Sequence, residues 1–354
     1  MLSPATLTHS NTMLGWDVGG AHLKAALISE QGDLLEVLQV ACPLWRGMDE
    51  LALAVQAIFS QLEHRLHASP QKHAVTMTGE LVDIFANRRA GVMQIAQFMR
   101  EHLSGEVLFY AARQGFVDFS QVALYADAIA SANWHASASW VAKSIEQGIL
   151  LDIGSTTSDL IVLKNAEVFA QGLTDAERMR HDELIYAGVV RTPVMALAQK
   201  VEFEGGLVNI AAEHFATTAD IYRLTGELTA QDDMADTADG QGKTEIESAR
   251  RLARMVGHDV EYADIETWRA LAFKFRELQL ERLQSALLRL VDMPQQAPII
   301  GAGVGRFLAL ALAERLARPY VHIDALFKAS ATSHWASVCL PAVAVAKLRM
   351  DATC

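Results

Sequence analysis

Apolar residues along the chain gather first into short runs at strand spacing and then into longer stretches at helical spacing. The first run, MLGWDVGGAHLKAALI (13–28), reads as a strand, a glycine turn and a second strand. Ser29 to Asp33 supply a turn, and LLEVLQVACPL offers a third strand. From Met48 to about His67, Leu51, Val55, Ile58, Phe59, Leu62 and Leu66 recur with the period of a helix. AVTMTG (74–79) predicts a short buried strand ending in a loop. A helix is expected over 89–103, a strand at VLFY (107–110), and a helix rich in small residues from about 126 to 143.

The pattern then restarts. ILLDIGSTTSDLIVL (149–163) is again strand, glycine turn, strand, and after Lys164-Asn165 the segment AEVFAQG begins a third strand. Aligning Asp17 with Asp152 also aligns Gly19 with Gly154, 135 residues further on. Two hairpin-led units predict two related domains that face each other. Downstream, Glu202 to Leu207 reads as a loop and 213–224 as a helix. Residues 226–244 are polar and acidic and read as a mobile loop. Helices follow over about 245–256 and 264–291. APIIGAGVGRFLALALAERL (297–316) is strand, Gly-rich loop and helix; YVHI (320–323) is a short strand before a last helical stretch to about Met350. The expected organisation is α/β. Residues 1–12 are expected to be a disordered leader, and 13–146 a first domain completed by 318–354. Residues 147–317 are a second domain.

Composition narrows the function classes. In 354 residues, 51% are hydrophobic and 20% charged, enough apolar material for two cores. The net charge of −12 and the lack of a basic patch argue against nucleic acid as the main partner. An anionic ligand would need backbone N–H groups, a metal ion or a few placed cations. Cys42, Cys339 and Cys354 show no CxxC spacing, and read as small apolar residues of a reducing compartment and not as a disulfide set. No uninterrupted apolar stretch reaches the roughly eighteen residues of a membrane span, so the cytoplasm is the expected location.

The two turns carry the candidate chemistry. In DVGGAH (17–22), Asp17 ends a strand, and Gly19 and Gly20 let backbone N–H groups approach a phosphate. Lys24 is a nearby cation, or simply an exposed strand residue. DIGSTTSD (152–159) repeats the arrangement with Asp152 and Gly154 and adds the hydroxyls of Ser155, Thr156 and Thr157 as donors. Asp17 and Asp152 are candidate Mg²⁺ ligands or bases. Asp159 stands at the far end of the second loop. Gly301, Gly303 and Gly305 suit a nucleotide or ligand platform at the domain interface.

These three motifs, in this order, resemble the acetate and sugar kinase/Hsc70/actin superfamily. DVGGAHLKAAL is similar to its first phosphate loop, LLDIGSTTSDLIVL to its second and IIGAGVGRF to its adenosine motif. Within it the chain resembles the hydantoinase A/oxoprolinase branch. The strings TGELVDIFANRRAGV, ELIYAGVVRTPV, EHFATTADIYRLTGEL, ADGQGKT and ARRLARMVGHD resemble the tetrahydromethanopterin-linked C1-transfer pathway proteins. The resemblance implies duplicated ribonuclease H-like units and a transferase of methanofuran-type carrier synthesis. The implied reaction joins an aminomethylfuranylmethyl diphosphate to the phenol of γ-glutamyltyramine and releases diphosphate. Its partners are then two small molecules, and Mg²⁺ is the expected cofactor. ATP, as in a kinase or ring hydrolase of the superfamily, is the less favoured alternative. A non-catalytic nucleotide-binding module is a further one. Ala21-His22 stand where the kinases carry a hydroxyl, which weakens a phosphoryl-transfer reading.

The remaining candidates are weighed against plainer roles. Glu80 lies at a strand end and is a candidate base or metal ligand, unless it and Asp83 merely form an acidic first turn capped by Thr78. Asn87, Arg88 and Arg89 place cations near phosphate or start a solvated helix. Arg191, within an apolar strand, would need an anion such as the glutamyl carboxylate of the acceptor. Glu213, His214 and Asp220 are expected on one helix. Asp239 and Lys243 either close over the site or belong to a charged loop.

Overall fold

Both glycine turns fold into hairpins whose first strands are apolar enough to be buried on both faces. The computed structural model describes residues 12–65, 70, 72–290, 294–327 and 333–352. The expected leader up to residue 11, the helix end at His67 and Cys354 lie outside the described residues. Strand β1 (Met13–Val18) is buried throughout. It pairs antiparallel with β2 (His22–Ile28), Asp17 opposite Lys24, and β2 pairs with β3 (Leu34–Ala41). Helix α1 (Met48–Leu62) leads to β4 (Lys72–Met77), parallel to β1, and α2 (Arg88–His102) leads to β5 (Glu106–Tyr110) and β6 (Phe116–Val117). The sheet order is β3-β2-β1-β4-β5-β6.

The helix expected over 126–143 is broken. Short helices α3 (Phe119–Val122) and α4 (Ala126–Ile129) precede α5 (Asn133–Ala142). Between α4 and α5, Ser131 takes a left-handed backbone, φ +51°, which the helical ladder cannot continue through.

The second half repeats the plan. β7 (Gly148–Ile153) pairs antiparallel with β8 (Ser158–Lys164), Asp152 opposite Asp159. β9 (Glu167–Phe169), then α6 (Asp175–Arg180) and β10 (Leu184–Ile185) follow, and both short strands lie along β8. A long excursion adds the hairpin β11 (Lys200–Phe203) and β12 (Gly206–Asn209), with helices α7 (Thr218–Leu224), α8 (Glu245–Met255) and α9 (Ile265–Leu290). The chain returns as β13 (Ile299–Ala302), parallel to β7, then α10 (Arg306–Arg315) and β14 (Tyr320–His322), then α11 (Ser333–Val338) and α12 (Leu340–Asp351). The second sheet runs β10-β8-β7-β13-β14, so each sheet sets its hairpin beside a parallel strand reached by a crossover.

Four expectations change here. Residues 202–207 are a hairpin and not a loop: KVEF alternates exposed and buried, and Glu204 and Gly205 turn at φ +49° and +77°. The 213–224 helix begins only at Thr218, because the Asp220 carboxylate accepts the Thr217 N–H (3.1 Å) and caps it there. Glu213 and His214 are left exposed outside it. The loop 226–244 is pinned by buried ion pairs described below. Of the segment 318–354, β14 joins the second sheet, while α12 packs on β1, β2 and β4 of the first and on α5.

Helix α12 therefore lies between the sheets, in a core shared by Ala26, Tyr110, Leu150, Ile300, Val343 and Val345. Each fully buried valine or leucine there contributes roughly 1.5–3 kcal/mol. Cys42 and Cys339 are buried free thiols, both pushed up to about 12 by burial. Among the described residues no helix is long and apolar enough to cross a membrane.

Candidate functional site

The two hairpin tips face a common cleft of about 330 Å³, lined by both halves of the chain. The tips are built alike. Gly19 N–H donates to the His22 carbonyl (3.0 Å) and Gly154 N–H to the Thr157 carbonyl (2.8 Å). Those two glycine N–H groups are thus spent on closing the turns, contrary to the expectation that they hold phosphate. Their neighbours take that place. The carbonyls of Gly20 and Ala21 accept from Leu44 and Cys42 (3.0 and 2.8 Å). Ser155 carbonyl accepts from Val190 and Arg191 (3.1 and 2.8 Å), and Thr156 carbonyl from Gly188 (2.9 Å). In a planar trans peptide the next N–H points the opposite way. The N–H groups of Ala21, His22, Thr156 and Thr157 therefore turn towards the other side of each tip. Ser155, Thr156 and Thr157 line the cleft half-buried, with their hydroxyls beside these donors.

The matched carboxylates differ in their partners. Asp17 is 1% exposed; its Oδ2 accepts from Lys24 Nζ (3.1 Å), while its buried Oδ1 has no hydrogen-bond partner. Burial would lower Lys24, but Asp17 outweighs it and carries the ammonium above its ordinary pKa. Lys24 is therefore a cleft cation and not an exposed strand residue. In the second hairpin the position matching Lys24 is Asp159. Burial, then Asp159, pushes the Asp152 carboxyl up to about 7. Asp159 is itself raised by burial, against the pull of Arg178, whose Nη1 lies 2.8 Å away. Arg178 is 1% exposed, stacks 3.9 Å from the Trp134 ring and donates to the Glu183 carbonyl (3.0 Å). Burial, then Lys24 and Arg191, lowers His22 to about 4, so its imidazole is neutral near pH 7.

Several candidates fall elsewhere. Arg191 is exposed and lies in a bend, not a strand. It lines the cleft, with its guanidinium 5.7 Å from the Trp45 ring centroid and no carboxylate partner among the described residues. Glu80 does not reach the cleft surface. It is 1% exposed behind Ser131, whose Oγ donates to Glu80 Oε1 (2.8 Å). The turn holding it is a 3-10 helix ending at Leu81, with no side-chain cap from Thr78, so Asp83 does not share its face and is exposed. Asn87 caps α2 through the Ala90 N–H (2.9 Å), Arg88 pairs with Asp175, and Arg89 donates to the Ala123 carbonyl.

Asp239 and Lys243 are structural. Arg251 and Asp220, both buried, pair at 2.8 Å, and Arg251 also holds Asp239 (3.0 Å). Lys243 donates to the Asp233 carbonyl (2.6 Å), and Arg223 holds the Asp233 carboxylate (2.6 Å). Of that loop it is Asp232, Met234 and Ala235 that reach the cleft. The Gly-rich loop is packed, not open. A Cβ on Gly303 (φ +79°) would lie 2.5 Å from Asp152 Oδ1, and Gly301 and Gly305 lie against Tyr320 and Ile153. The loop braces the second hairpin, and only Val304 of it lines the cleft.

Sequence reading missed Ser131, Trp134, Asp175, Arg178 and Tyr186. The available signal was TDAE (174–177), whose Thr174 and Glu177 form a capping box that announces α6 and its acidic first turn. No group of three or more His, Cys, Asp or Glu is placed to hold a metal ion among the described residues.

The hydantoinase/oxoprolinase family profile matches residues 71–351. The chain belongs to that family. It is 34% identical over 250 residues to a (4-{4-[2-(γ-L-glutamylamino)ethyl]phenoxymethyl}furan-2-yl)methanamine synthase of Methanocaldococcus jannaschii, covering 70% of this chain and 72% of the relative. A synthase of the same name from Methanococcus vannielii is 28% identical over 169 residues, 48% of this chain and 76% of that one. Among solved structures, the nucleotide-free acetone carboxylase superposes with a TM-score of 0.61 at 10% identity, over 95% of this chain and 70% of that one. The fold of this family member is that of the actin/Hsc70/sugar-kinase group, as the two matching sheets indicate.

Proposed function

We propose that the chain is a transferase that makes an aryl ether. It joins an aminomethylfuranylmethyl diphosphate to the phenol of γ-glutamyltyramine. The observation that carries this reading is its kinship with the two synthases, whose shared name describes a furan bearing a methanamine and a phenoxymethyl group. The phenol oxygen forms a bond to the furanylmethyl carbon. The bond from that carbon to the diphosphate oxygen breaks, and its electron pair leaves with diphosphate. The furan ring stabilises positive charge on the carbon as this happens.

What remains is to neutralise a leaving group of high negative charge. The tip N–H groups and the hydroxyls of Ser155, Thr156 and Thr157 supply donors of the right kind, and Lys24 and Arg191 supply charge. Asp17 and Asp152 suit Mg²⁺: the buried Asp17 Oδ1 lacks a partner, and Mg²⁺ is usually held by one or two carboxylates with water and phosphate oxygens completing the shell. When bound, the ion would neutralise diphosphate charge. ATP has no part in this reaction. The matched hairpins thus become a leaving-group cradle.

The test is to incubate purified protein with Mg²⁺, the furan diphosphate and γ-glutamyltyramine, and follow the ether by mass and the diphosphate enzymatically. Ether and diphosphate in equal amounts are expected. Asp17→Asn should abolish the metal-dependent turnover without unfolding the protein. No ether, with ATP hydrolysed in the presence of a small-molecule acceptor, would overturn the reading.

A further inference from the structure

We infer that Ser131 is the group that takes the proton from the acceptor's phenol, passing its own hydroxyl proton to Glu80 buried behind it. This role rests on the aryl-ether reading above.

The geometry has three parts. Ser131 lines the cleft, whose lining also includes the exposed side chains of Leu81 and Tyr186, apolar and aromatic surface suited to a phenol ring. Its Oγ already donates to Glu80 Oε1 at 2.8 Å, so a proton can move without rearrangement. Glu80 Oε2 is buried with no hydrogen-bond partner, an expensive arrangement for a carboxylate that has only a structural role. The backbone fixes the pair: Ser131 sits at φ +51°, in the left-handed region, at the break between α4 and α5. Gly91 of α2 lets the Glu80 backbone nest against the helix, since a Cβ there would lie 2.6 Å from the Glu80 carbonyl oxygen.

The charged and titratable groups around Glu80 are Arg88 from α2, Asp175 from α6 and Tyr186 beyond them. Asp175 Oδ2 also lies within reach of Ser131 Oγ, but at 3.4 Å and bound to Arg88 it is the weaker acceptor; Glu80 Oε1 at 2.8 Å is the closer one. Burial pushes Glu80 up to about 7, against the Ser131 hydrogen bond. It is then a base matched to neutral solution. In the step, the phenol O–H breaks and its proton joins Ser131 Oγ. The Ser131 proton joins Glu80 Oε1. The phenolate oxygen attacks the furanylmethyl carbon, and Glu80 later returns the proton to water.

The experiment compares wild type, Ser131→Ala, Ser131→Gly and Glu80→Gln with γ-glutamyltyramine and with a ring-fluorinated acceptor whose phenol is more acidic. Ser131→Gly suits the left-handed backbone and guards against loss by misfolding. With the ordinary acceptor, kcat should fall about 100-fold in each variant with KM little changed. The fluorinated acceptor should restore most of that rate, which a merely structural role would not allow. The acidic limb of the wild-type pH profile, near pH 7, should vanish in Glu80→Gln. Variants within about threefold of an active wild type, or no rescue by fluorination, overturn the relay alone. Wild type that makes no ether overturns the activity, and the relay with it.

Discussion

Arg178→Met removes a charge and keeps the length of the side chain. Arg178 is buried, and its guanidinium serves Asp159 at 2.8 Å, the Glu183 carbonyl at 3.0 Å and the Trp134 face at 3.9 Å. The cation–π part, about 0.5–2 kcal/mol, is lost, though methionine can still cover the Trp134 ring with its own apolar surface. The larger effect is on Asp159, left charged beside Asp152 without the cation it pairs with and with only the weaker pull of Lys24. Removing one partner of a buried pair costs about 3–5 kcal/mol. Burial already raises Asp159, and losing Arg178 raises it further. A carboxyl whose folded pKa lies above its unfolded value destabilises the fold when ionised. The deficit is therefore full above the folded pKa and shrinks as pH falls towards the unfolded value near ~3.9. Urea denaturation at pH 8 and pH 5.5 measures it: a lower midpoint at pH 8 with unchanged slope, and a smaller difference at pH 5.5. Adding Asp159→Asn to the Arg178→Met variant should recover about half of the loss at pH 8, because the orphaned charge is gone. A deficit below about 1 kcal/mol at pH 8, or one that grows on acidification, would refute the argument.

Gly303→Ala should cost at least about 2 kcal/mol, since it adds left-handed strain to a Cβ placed 2.4 Å from the Ile153 carbonyl oxygen; an unchanged melting midpoint contradicts the bracing role. Arg251→Met should cost about 3–5 kcal/mol and expose residues 226–244 to protease, and resistance to limited proteolysis would show that the Asp220–Arg251–Asp239 contacts do not pin the loop. In EDTA-treated protein, Asp152→Asn should stabilise at pH 8 and not at pH 4. The carboxyl it removes is raised to about 7, so its penalty is full above that value and lost below the unfolded one. Equal stability changes at both pH values in chemical denaturation would contradict this.

The hairpins were legible because everything that makes them is local. A glycine turn between two apolar runs closes each hairpin, and its register puts Asp17 and Asp152 near strand ends. The cross-strand partners Lys24 and Asp159 follow from the same count, though Asp159 was set behind Asp152 because it stands at the far end of the loop. Glu80 was legible as a strand-end carboxylate but not as a buried one, because its depth depends on α2 packing over it at Gly91. Arg178, Asp175 and Ser131 were invisible for a stronger reason. Their partners are reached only when α6 folds beside β8 and Ser131 breaks what the spacing read as one helix. Asp239 and Lys243 misled because an acidic, glycine-containing stretch has the composition of a free loop. Its anchor is Arg251 of α8, and no local pattern signals a buried arginine there.

The two hairpins share a backbone, and the difference between them is where each finds its positive charge. Asp17 is neutralised from within, by Lys24 directly opposite on β2. At the matching place β8 carries Asp159, so Asp152 faces a like charge, and the compensating cation comes from Arg178 on α6. Burial, then Asp159, moves the proton affinity of Asp152 into the neutral range, while Asp17 keeps one oxygen buried and unbonded. A phosphate-bearing ligand set between the tips would meet the Lys24–Asp17 ion pair on one side and, on the other, two carboxylates that share Arg178. A cation brought in with the ligand lowers the repulsion between Asp152 and Asp159, and the ligand's own charge is balanced by Lys24 and the free Arg191. Binding of diphosphate and of a divalent ion should therefore be mutually reinforcing, each removing a charge that opposes the other.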